Sequence, residues 1–399
     1  MSKIFVVNAG SSSLKFQLLN MPREEVITSG IFERIGLEEG IFTIKYNGKK
    51  EVKEMPIEDH SKAVKILLNA VVENKIVNSL NEIDACGHRV VHGGEYFNDS
   101  AIVSDDVVDK VESLKDLAPL HNPANLTGYY AFHKALPNVK HVFTFDTAFH
   151  QTIEEDCYLY PLPIDYYENY RVRKYGFHGT SHQYVSNEAI NYLGNPKSSR
   201  IIVCHLGNGA SVSAIKDGKS IDTSMGFTPL AGLMMGTRSG DIDPSVLPYI
   251  MEKENLDIHQ MLDVLNKKSG MLGVSGVSSD SRDIEELYEK GDPRAIRTSK
   301  LYAKIVSKYI GSYVMELGGV DAIAFTAGLG ENAAYLRELV INFIADALAT
   351  SVDVDANNSC VRQDTIGVIS TEDSKVKVLV IPTNEEIVIA RDTARLLGI

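Results

Sequence analysis

The sequence predicts an α/β protein made of two related domains, and three observations carry that reading. The first ~150 residues read as a run of strands followed by alternating helix and strand. Residues 200–215, RIIVCHLGNGASVSAI, repeat the device that opens the chain at 4–19, IFVVNAGSSSLKFQLL: an apolar strand, a short Asn/Gly/Ser loop and an alternating strand. A further strand, 321–327, runs into the glycine-rich GLGEN at 328–332 and then a helix. The two hairpins lie about 200 residues apart, half the chain, as a duplicated domain would give; two unrelated Gly/Ser hairpins are the competing explanation.

Taken in order, Ile4–Val7 is the first strand and Asn8–Ser13 the loop. In the return strand Leu14, Phe16 and Leu18 share one face, Lys15 and Gln17 the other. The loop fits a phosphate-binding hairpin, because small residues let backbone N–H groups approach an anion and Lys15 adds charge. It fits an ordinary Ser/Gly turn equally well. No GxxxxGK[ST] spacing is present, so it is not a Walker loop. Residues 26–35 and 41–54 continue as strands, with a hairpin turn at Asn47-Gly48. Apolar residues at 64, 67, 68, 71 and 72 predict a helix from His60 to about Val77. Ile83–Val91 reads as a buried strand bearing Arg89, followed by the loop His92-Gly93-Gly94-Glu95. Ser104 caps a helix to Leu117, and Asn122-Pro123 supplies a cap and an N1 proline for another to about Leu136. Val139–Phe145 is a strand, with Asp146 just past its end.

Residues 151–180 read as a connecting loop region ending in GFHGTS, from which a helix runs to Leu193. After the second hairpin, Asp217-Gly218 marks another tight turn, and Asp243-Pro244 starts a helix. Asp292-Pro293 starts a long helix that Gly318-Gly319 stops after Leu317. Val376–Ile381 is the last strand, and Thr383-Asn384-Glu385-Glu386 opens the C-terminal helix.

Composition narrows the function class. At 399 residues, 44% apolar and 23% charged, the chain has the make-up of a globular protein of two or three domains. A net charge of −13 argues against nonspecific nucleic-acid binding, though not against a local basic site for a small anion. No apolar run approaches membrane-helix length and the N-terminus goes straight into a strand, so neither a membrane nor a signal peptide is expected. Cys86, Cys157, Cys204 and Cys360 are scattered without a CxxC, as expected of reduced thiols in a cytoplasmic protein.

The three glycine-rich turns at 8–13, 205–211 and 328–332 together suit a nucleoside triphosphate. Arg89 and Arg238 stand in glycine-rich surroundings that suit bidentate anion recognition; a surface salt bridge is the other use for either. His178 reads as a neutral donor to a transferring phosphoryl group or as a structural loop histidine. Asp146 reads as a site carboxylate, a helix cap or an arginine's partner. Glu385 reads as a Mg2+ contact or a residue of the helix cap.

The strings NAGSSSLKF (8–16), GHRVVHGGE (87–95), LHNP (120–123), FDTAFH (145–150), YGFHGTSH (175–182), HLGNGAS (205–211), MGFTPLAGLMMGTRSGDIDP (225–244), GLGEN (328–332) and TNEE (383–386) resemble, in order and over nearly the whole chain, the acetate kinase family. The resemblance implies two duplicated actin-like, ribonuclease H-like domains with ATP in a central interdomain cleft. Residues 1–150 plus 384–399 would form the acyl-substrate domain, and 151–383 the nucleotide-binding and dimerisation domain of a cytoplasmic homodimer. The implied ATP contacts are Lys15; His205, Leu206, Gly207, Asn208 and Gly209; Asp280, Ser281 and Arg282; and Gly328, Leu329, Gly330, Glu331 and Asn332. Asn8 and Glu385 are the implied Mg2+ positions, with Mn2+ as an alternative ion. Arg89 is the implied substrate arginine, Asp146 the assigned acid/base, and His178 and Arg238 the transition-state stabilisers. Val91, Leu120, Phe177 and Pro229 would build the acyl pocket. Leu329 stands where isoleucine is common in the family, and Ser281 where a larger residue is.

The implied reaction is reversible, in-line transfer of phosphate from ATP to acetate. A carboxylate acceptor with a pKa near 4.3 is ionised at neutral pH and needs no general base, so Asp146 is expected to orient Arg89 or Arg238. Kinases of propionate or other short-chain acids are the near alternative. An actin- or Hsp70-like ATPase acting on a protein partner is the distant one, and it leaves Arg89, Arg238 and His178 without a joint use.

Overall fold

Hairpin turns and apolar alternation dominate the first fifty residues, and in the computed structural model, which describes residues 1–119 and 121–399, they form a meander. The chain divides into two units, Met1–Gln151 with Asn384–Ile399, and Thr152–Thr383. The first unit holds β1 (Ser2–Ala9), β2 (Ser13–Met21), β3 (Glu25–Glu33), β4 (Gly40–Tyr46), β5 (Lys49–Met55), β6 (Ile83–Val90), β7 (Ala101–Ile102) and β8 (Lys140–Phe145). They form one sheet in the order β5-β4-β3-β2-β1-β6-β8-β7. β1 is antiparallel to β2 and parallel to β6, and β6 is parallel to β8. Central strands covered on both faces need continuous apolar runs, and Ile4–Val7 are all buried.

The helix His60–Glu73 covers one face through Val64, Leu67, Leu68 and Val71, packing with Phe5, Phe16, Phe32 and Phe42. Phe32 and Phe42 stack at 4.3 Å. The C-terminal helix, Glu385–Leu397, packs against β1, β6 and β8. Gly87 permits this approach, since a Cβ there would stand 2.4 Å from Thr393 Oγ1. Arg391 to Glu24 and Arg395 to Asp99 fasten the helix from outside.

The second unit repeats the plan with β9 (Arg200–Leu206), β10 (Ala210–Lys216), β11 (Lys219–Thr223), β12 (Ala322–Thr326), β13 (Gly367–Val368) and β14 (Lys377–Val380). Their order, β11-β10-β9-β12-β14-β13, matches β3-β2-β1-β6-β8-β7 strand for strand. The sense of every pairing matches too: antiparallel within the meander, parallel for β9/β12 and β12/β14, antiparallel at β13. Two unrelated hairpins would not share six strands, so the repeat is a duplicated fold.

Several boundaries differ from the sequence reading. The first helix ends at Glu73, with Asn74 as its C-cap, because Lys75 is left-handed, with φ 55°. Asn122 is not a cap but the first residue of the helix Asn122–Ala135; its side chain bonds the backbone of His92 instead. The 151–180 region contains the short helices Glu155–Tyr158 and Asp165–Tyr170. The helix expected at Asp243-Pro244 begins at Val246, after Ser245. GLGEN is not a loop, since Ala327–Asn332 is already helical.

Burial of titratable groups in the first unit has a measurable consequence. His88 and His141 are buried side by side, Nε2 to Nδ1 2.9 Å. Burial, with His141 adding to it, holds His88 well below its ordinary value; burial, with His133 adding to it, brings His141 down to about 4, and burial alone brings His92 to about 4. Folded values below the unfolded one mean that the unfolded chain binds more protons between about 4 and 6.5, so stability is present above this window and is lost as pH falls through it. The urea midpoint is therefore expected to drop on acidification across that range, and His141→Gln to show a shallower drop. Parallel curves for the two proteins would contradict this.

Candidate active site

Parallel neighbours end on the same sheet edge, and in open α/β sheets that edge is where ligands bind. In the first unit β1 ends at Asn8-Ala9, β6 at Arg89-Val90, and Asp146 follows β8 directly. Asp146 N–H donates to Val90 O, which fixes the carboxylate beside β6. Arg89 Nε then donates to Asp146 Oδ1 at 2.9 Å and Nη2 to Oδ2 at 2.6 Å, a two-point fork. Asp146 is 1% exposed and the Arg89 side chain 20%, so the carboxylate is enclosed while the guanidinium keeps an open side. Burial would pull the Arg89 pKa down, but the Asp146 and Glu385 carboxylates outweigh it and hold the group above the ordinary arginine value.

Two asparagines that the sequence reading did not assign to the site brace this edge. Asn125 Oδ1 accepts from Val91 N–H while its Nδ2 donates to Ala9 O, tying the ends of β1 and β6 together. Asn122 clamps His92 in the same way, and Thr147 Oγ1 accepts from Gly93 N–H. Asn122 reads as a helix cap beside Pro123, and Asn125, three residues further on, carries no local signal in the sequence.

Glu385 and Glu386 enter from the first turn of the C-terminal helix, where Asn384 is the cap. Asn8, Lys15, Arg89, Glu385 and Glu386 line one recess. Lys15 forms an ion pair with Glu386, a partner that the sequence reading had not given it. Burial raises the pKa of Glu385; Arg89 opposes this, and the Asp146 and Glu386 carboxylates add to it. A carboxylate so placed gains from an added cation. Among the described residues no three His, Cys, Asp or Glu side chains are grouped to hold a metal ion. Asn8 and Glu385 set two oxygen donors on one recess, a donor set that suits an ion such as Mg2+, which keeps much of its shell as water.

In the second unit the same edge carries different chemistry. The register sets Thr326 beside His205, so the loop Gly207–Gly209 and the helix Ala327–Asn332 leave adjacent strands together. Glu331 Oε1 accepts from Ala327 N–H at 2.8 Å and from Thr383 N–H at 3.1 Å, clasping the ends of β12 and β14. Leu329 is buried, and Arg337, fully buried, donates to Gly330 O. Asn332 Oδ1 accepts from Arg362 N–H. Gly236 lets two more segments close in, since a Cβ on it would lie 2.1 Å from Asn208 Oδ1 and 3.3 Å from Ser279 O. Next to Ser279, Asp280 caps the helix Ser281–Glu289, and Arg282 folds back on its carboxylate.

His178 precedes the helix Gly179–Tyr192 in the left-handed conformation, φ 57°. Its ring stacks on His205 at 4.1 Å. A Cβ on Gly209 would lie 3.4 Å from Arg238 Nη1 and 3.5 Å from His178 Nε2, so these two groups flank the loop at its glycine. Arg238 Nη1 donates to Pro229 O, and Arg238 has no carboxylate partner among the described residues. Burial lowers its pKa, yet a guanidinium stays protonated at neutral pH. Val91 and Phe177 are both buried, and Leu120 lies outside the described residues.

The acetokinase family profile matches residues 3–391. The chain belongs to the acetokinase family. It is 56% identical over 397 residues to the acetate kinase of Bacillus cytotoxicus, covering 99% of each chain. The crystal structure of Porphyromonas gingivalis acetate kinase superposes with a TM-score of 0.94 at 46% identity over 100% of both chains. A propionate kinase from Francisella tularensis superposes with a TM-score of 0.93 at 40% identity over 99% of this chain and 100% of that one. The fold of this acetokinase is accordingly the duplicated actin-like one.

Removing one partner of the fork should register in stability. Asp146→Ala leaves Arg89 without its enclosed acceptor and is expected to cost about 1.5–3 kcal/mol in urea unfolding, the range for hydrogen bonds to charged groups. An unchanged midpoint would mean that Glu385 or Glu386 replaces Asp146 fully.

Proposed function

We propose that this acetokinase catalyses reversible transfer of the γ-phosphoryl group of ATP to the carboxylate of acetate, giving acetyl phosphate and ADP. The observation that carries this reading is Arg238, a part-buried guanidinium without a carboxylate partner among the described residues, standing with His178 Nε2 around Gly209. A cation held in place and left without a counter-charge is suited to charge that develops during reaction. The difficulty in this chemistry is to bring two anions together. Acetate is already ionised, so positioning and positive charge supply catalysis, and no group has to remove a proton.

The roles follow from the two environments. Arg89, aimed by Asp146 and still open on one side, binds the acetate carboxylate as a second fork. Val91, two residues beyond it, limits the acyl group. The loop His205–Gly209, Asp280–Arg282 and Gly328–Asn332 hold ATP, with backbone N–H groups and small residues against its phosphates. Arg282, paired with Asp280, has to turn outward to reach a nucleotide, and Lys15 has to exchange Glu386 for a phosphate oxygen. His178 and Arg238 bind the transferring group. Asn8 and Glu385 hold Mg2+, or Mn2+ with the same oxygen preference. When bound, that ion neutralises phosphate charge.

Buried free thiols at Cys86, Cys204 and Cys360 fit a reducing, cytoplasmic setting. The helix Val246–Glu254 buries none of its residues; with Tyr249 64% exposed, and Ile258 and Leu262 exposed on the next helix, it offers an apolar face for a second copy in a homodimer.

Propionate is the second reading, favoured by the likeness to the Francisella propionate kinase. One extra methylene separates the substrates by only about 1–3 kcal/mol, so the ratio of kcat/KM decides. Trapping acyl phosphate with hydroxylamine, with ATP and Mg2+ present, is expected to give more product from acetate than from propionate. Arg238→Ala should lower kcat roughly 10²–10³-fold, as the loss of one preorganised donor does. ATP hydrolysis without trapped acyl phosphate would overturn the proposal.

A further inference from the structure

Behind the loop that Arg238 and His178 flank, two histidines share one hydroxyl. Ser211, the second residue of β10, is fully buried; its Oγ lies 2.9 Å from His178 Nδ1 and 2.7 Å from His182 Nε2. A serine hydroxyl carries a single proton, so it donates to one ring and accepts from the other. The bridge therefore couples the two tautomers. If Ser211 donates to His178 Nδ1, the proton of a neutral His178 stays on Nε2. If Ser211 donates to His182 instead, His178 must donate from Nδ1, and a neutral ring then presents a bare lone pair at Nε2.

The His178 ring is held against rotation. One face stacks on His205, whose Nδ1 lies 2.7 Å from Ser181 Oγ, itself 2.8 Å from Thr383 Oγ1. His182 stays in step because its N–H donates to His178 O across one helical turn. Nε2 is the atom of His178 that reaches Gly209, where Arg238 Nη1 also stands. A neutral ring there presents either an N–H or a bare lone pair at Nε2. An anion arriving there is repelled by a lone pair and bound by an N–H.

We propose that Ser211 and His182 are positioning residues that set the tautomer of His178. His182 Nε2–H donates to Ser211 Oγ, and Ser211 O–H donates to His178 Nδ1. His178 thereby keeps its proton on Nε2, aimed at the transferring phosphoryl group. The lock stands on hydrogen-bond geometry; its value for catalysis rests on the phosphoryl-transfer reading above.

The test uses the full chain with isotope-labelled histidine and long-range proton–nitrogen correlations, which tell the two neutral tautomers apart. The His178 signal is identified by its loss in His178→Gln. Wild-type His178 is expected as the Nε2–H form, and Ser211→Ala to show both tautomers in exchange. His182→Gln, which keeps an N–H in the place of Nε2, should retain the wild-type form, whereas His182→Leu should resemble Ser211→Ala. In kinetics Ser211→Ala should lower kcat roughly 10–100-fold with the KM for ATP changed less than about threefold, the pattern of a misaligned transition-state contact. A wild-type His178 protonated on Nδ1, or a Ser211→Ala protein whose His178 keeps one unchanged tautomer, would overturn the lock. The spectrum decides this whether or not acyl phosphate is made: without acyl phosphate but with the stated tautomer changes, the functional reading falls and the lock stands.

Discussion

Everything at the candidate site depends on parallel pairing at the centre of each sheet. β1, β6 and β8 end in one row, as do β9, β12 and β14, and each row gathers residues far apart in sequence. Asn8, Arg89 and Asp146 become neighbours because three parallel strands stop together. The loop after β9, the helix after β12 and Thr383 after β14 meet for the same reason. β1 and β9 leave this edge through hairpins and β12 through a helix, while the first turns of the helices Glu385–Leu397 and Gly179–Tyr192 bring in Glu385 and His182.

The two edges are charged by opposite logic. In the first unit Arg89 is surrounded by Asp146, Glu385 and Glu386, with Lys15 at the margin, a set dominated by carboxylates. In the second unit Arg238 has a carbonyl and an imidazole as neighbours. The first arrangement aims an arginine and suits an added cation; the second leaves positive charge for an incoming anion. One duplicated fold can divide the work in this way because its halves have diverged at the strand ends while keeping strand order and sense.

Much of this was legible in the sequence, because turn chemistry and apolar periodicity are local. The hairpins at Asn8–Ser13 and Gly207–Gly209, the Asn47-Gly48 turn and the helix from Pro293 to Leu317 all appear where their residues put them. The Arg89 and Asp146 side chains lie in the positions read for them, at neighbouring strand ends. What was not legible depended on long-range contact. Asn122 carried a helix-cap signature, yet its side chain is taken by His92, thirty residues earlier. GLGEN looked like a loop because of its glycines, but Glu331 stabilises it as a helix by accepting the Ala327 and Thr383 N–H groups. Ser211 read as the end of the loop string HLGNGAS, and nothing local in the sequence shows that His178 and His182, at the start of one helix, converge on it.

The central claim is that Asp146 acts only through Arg89, as the enclosed carboxylate that aims it, and not as a proton acceptor. A double-mutant cycle on kcat/KM for acetate tests this most directly, with Arg89→Ala, Asp146→Ala and the two combined. The account expects the double variant to be no slower than Arg89→Ala alone, because a positioning residue has nothing left to position. Penalties that multiply would contradict it and return an independent catalytic role to Asp146.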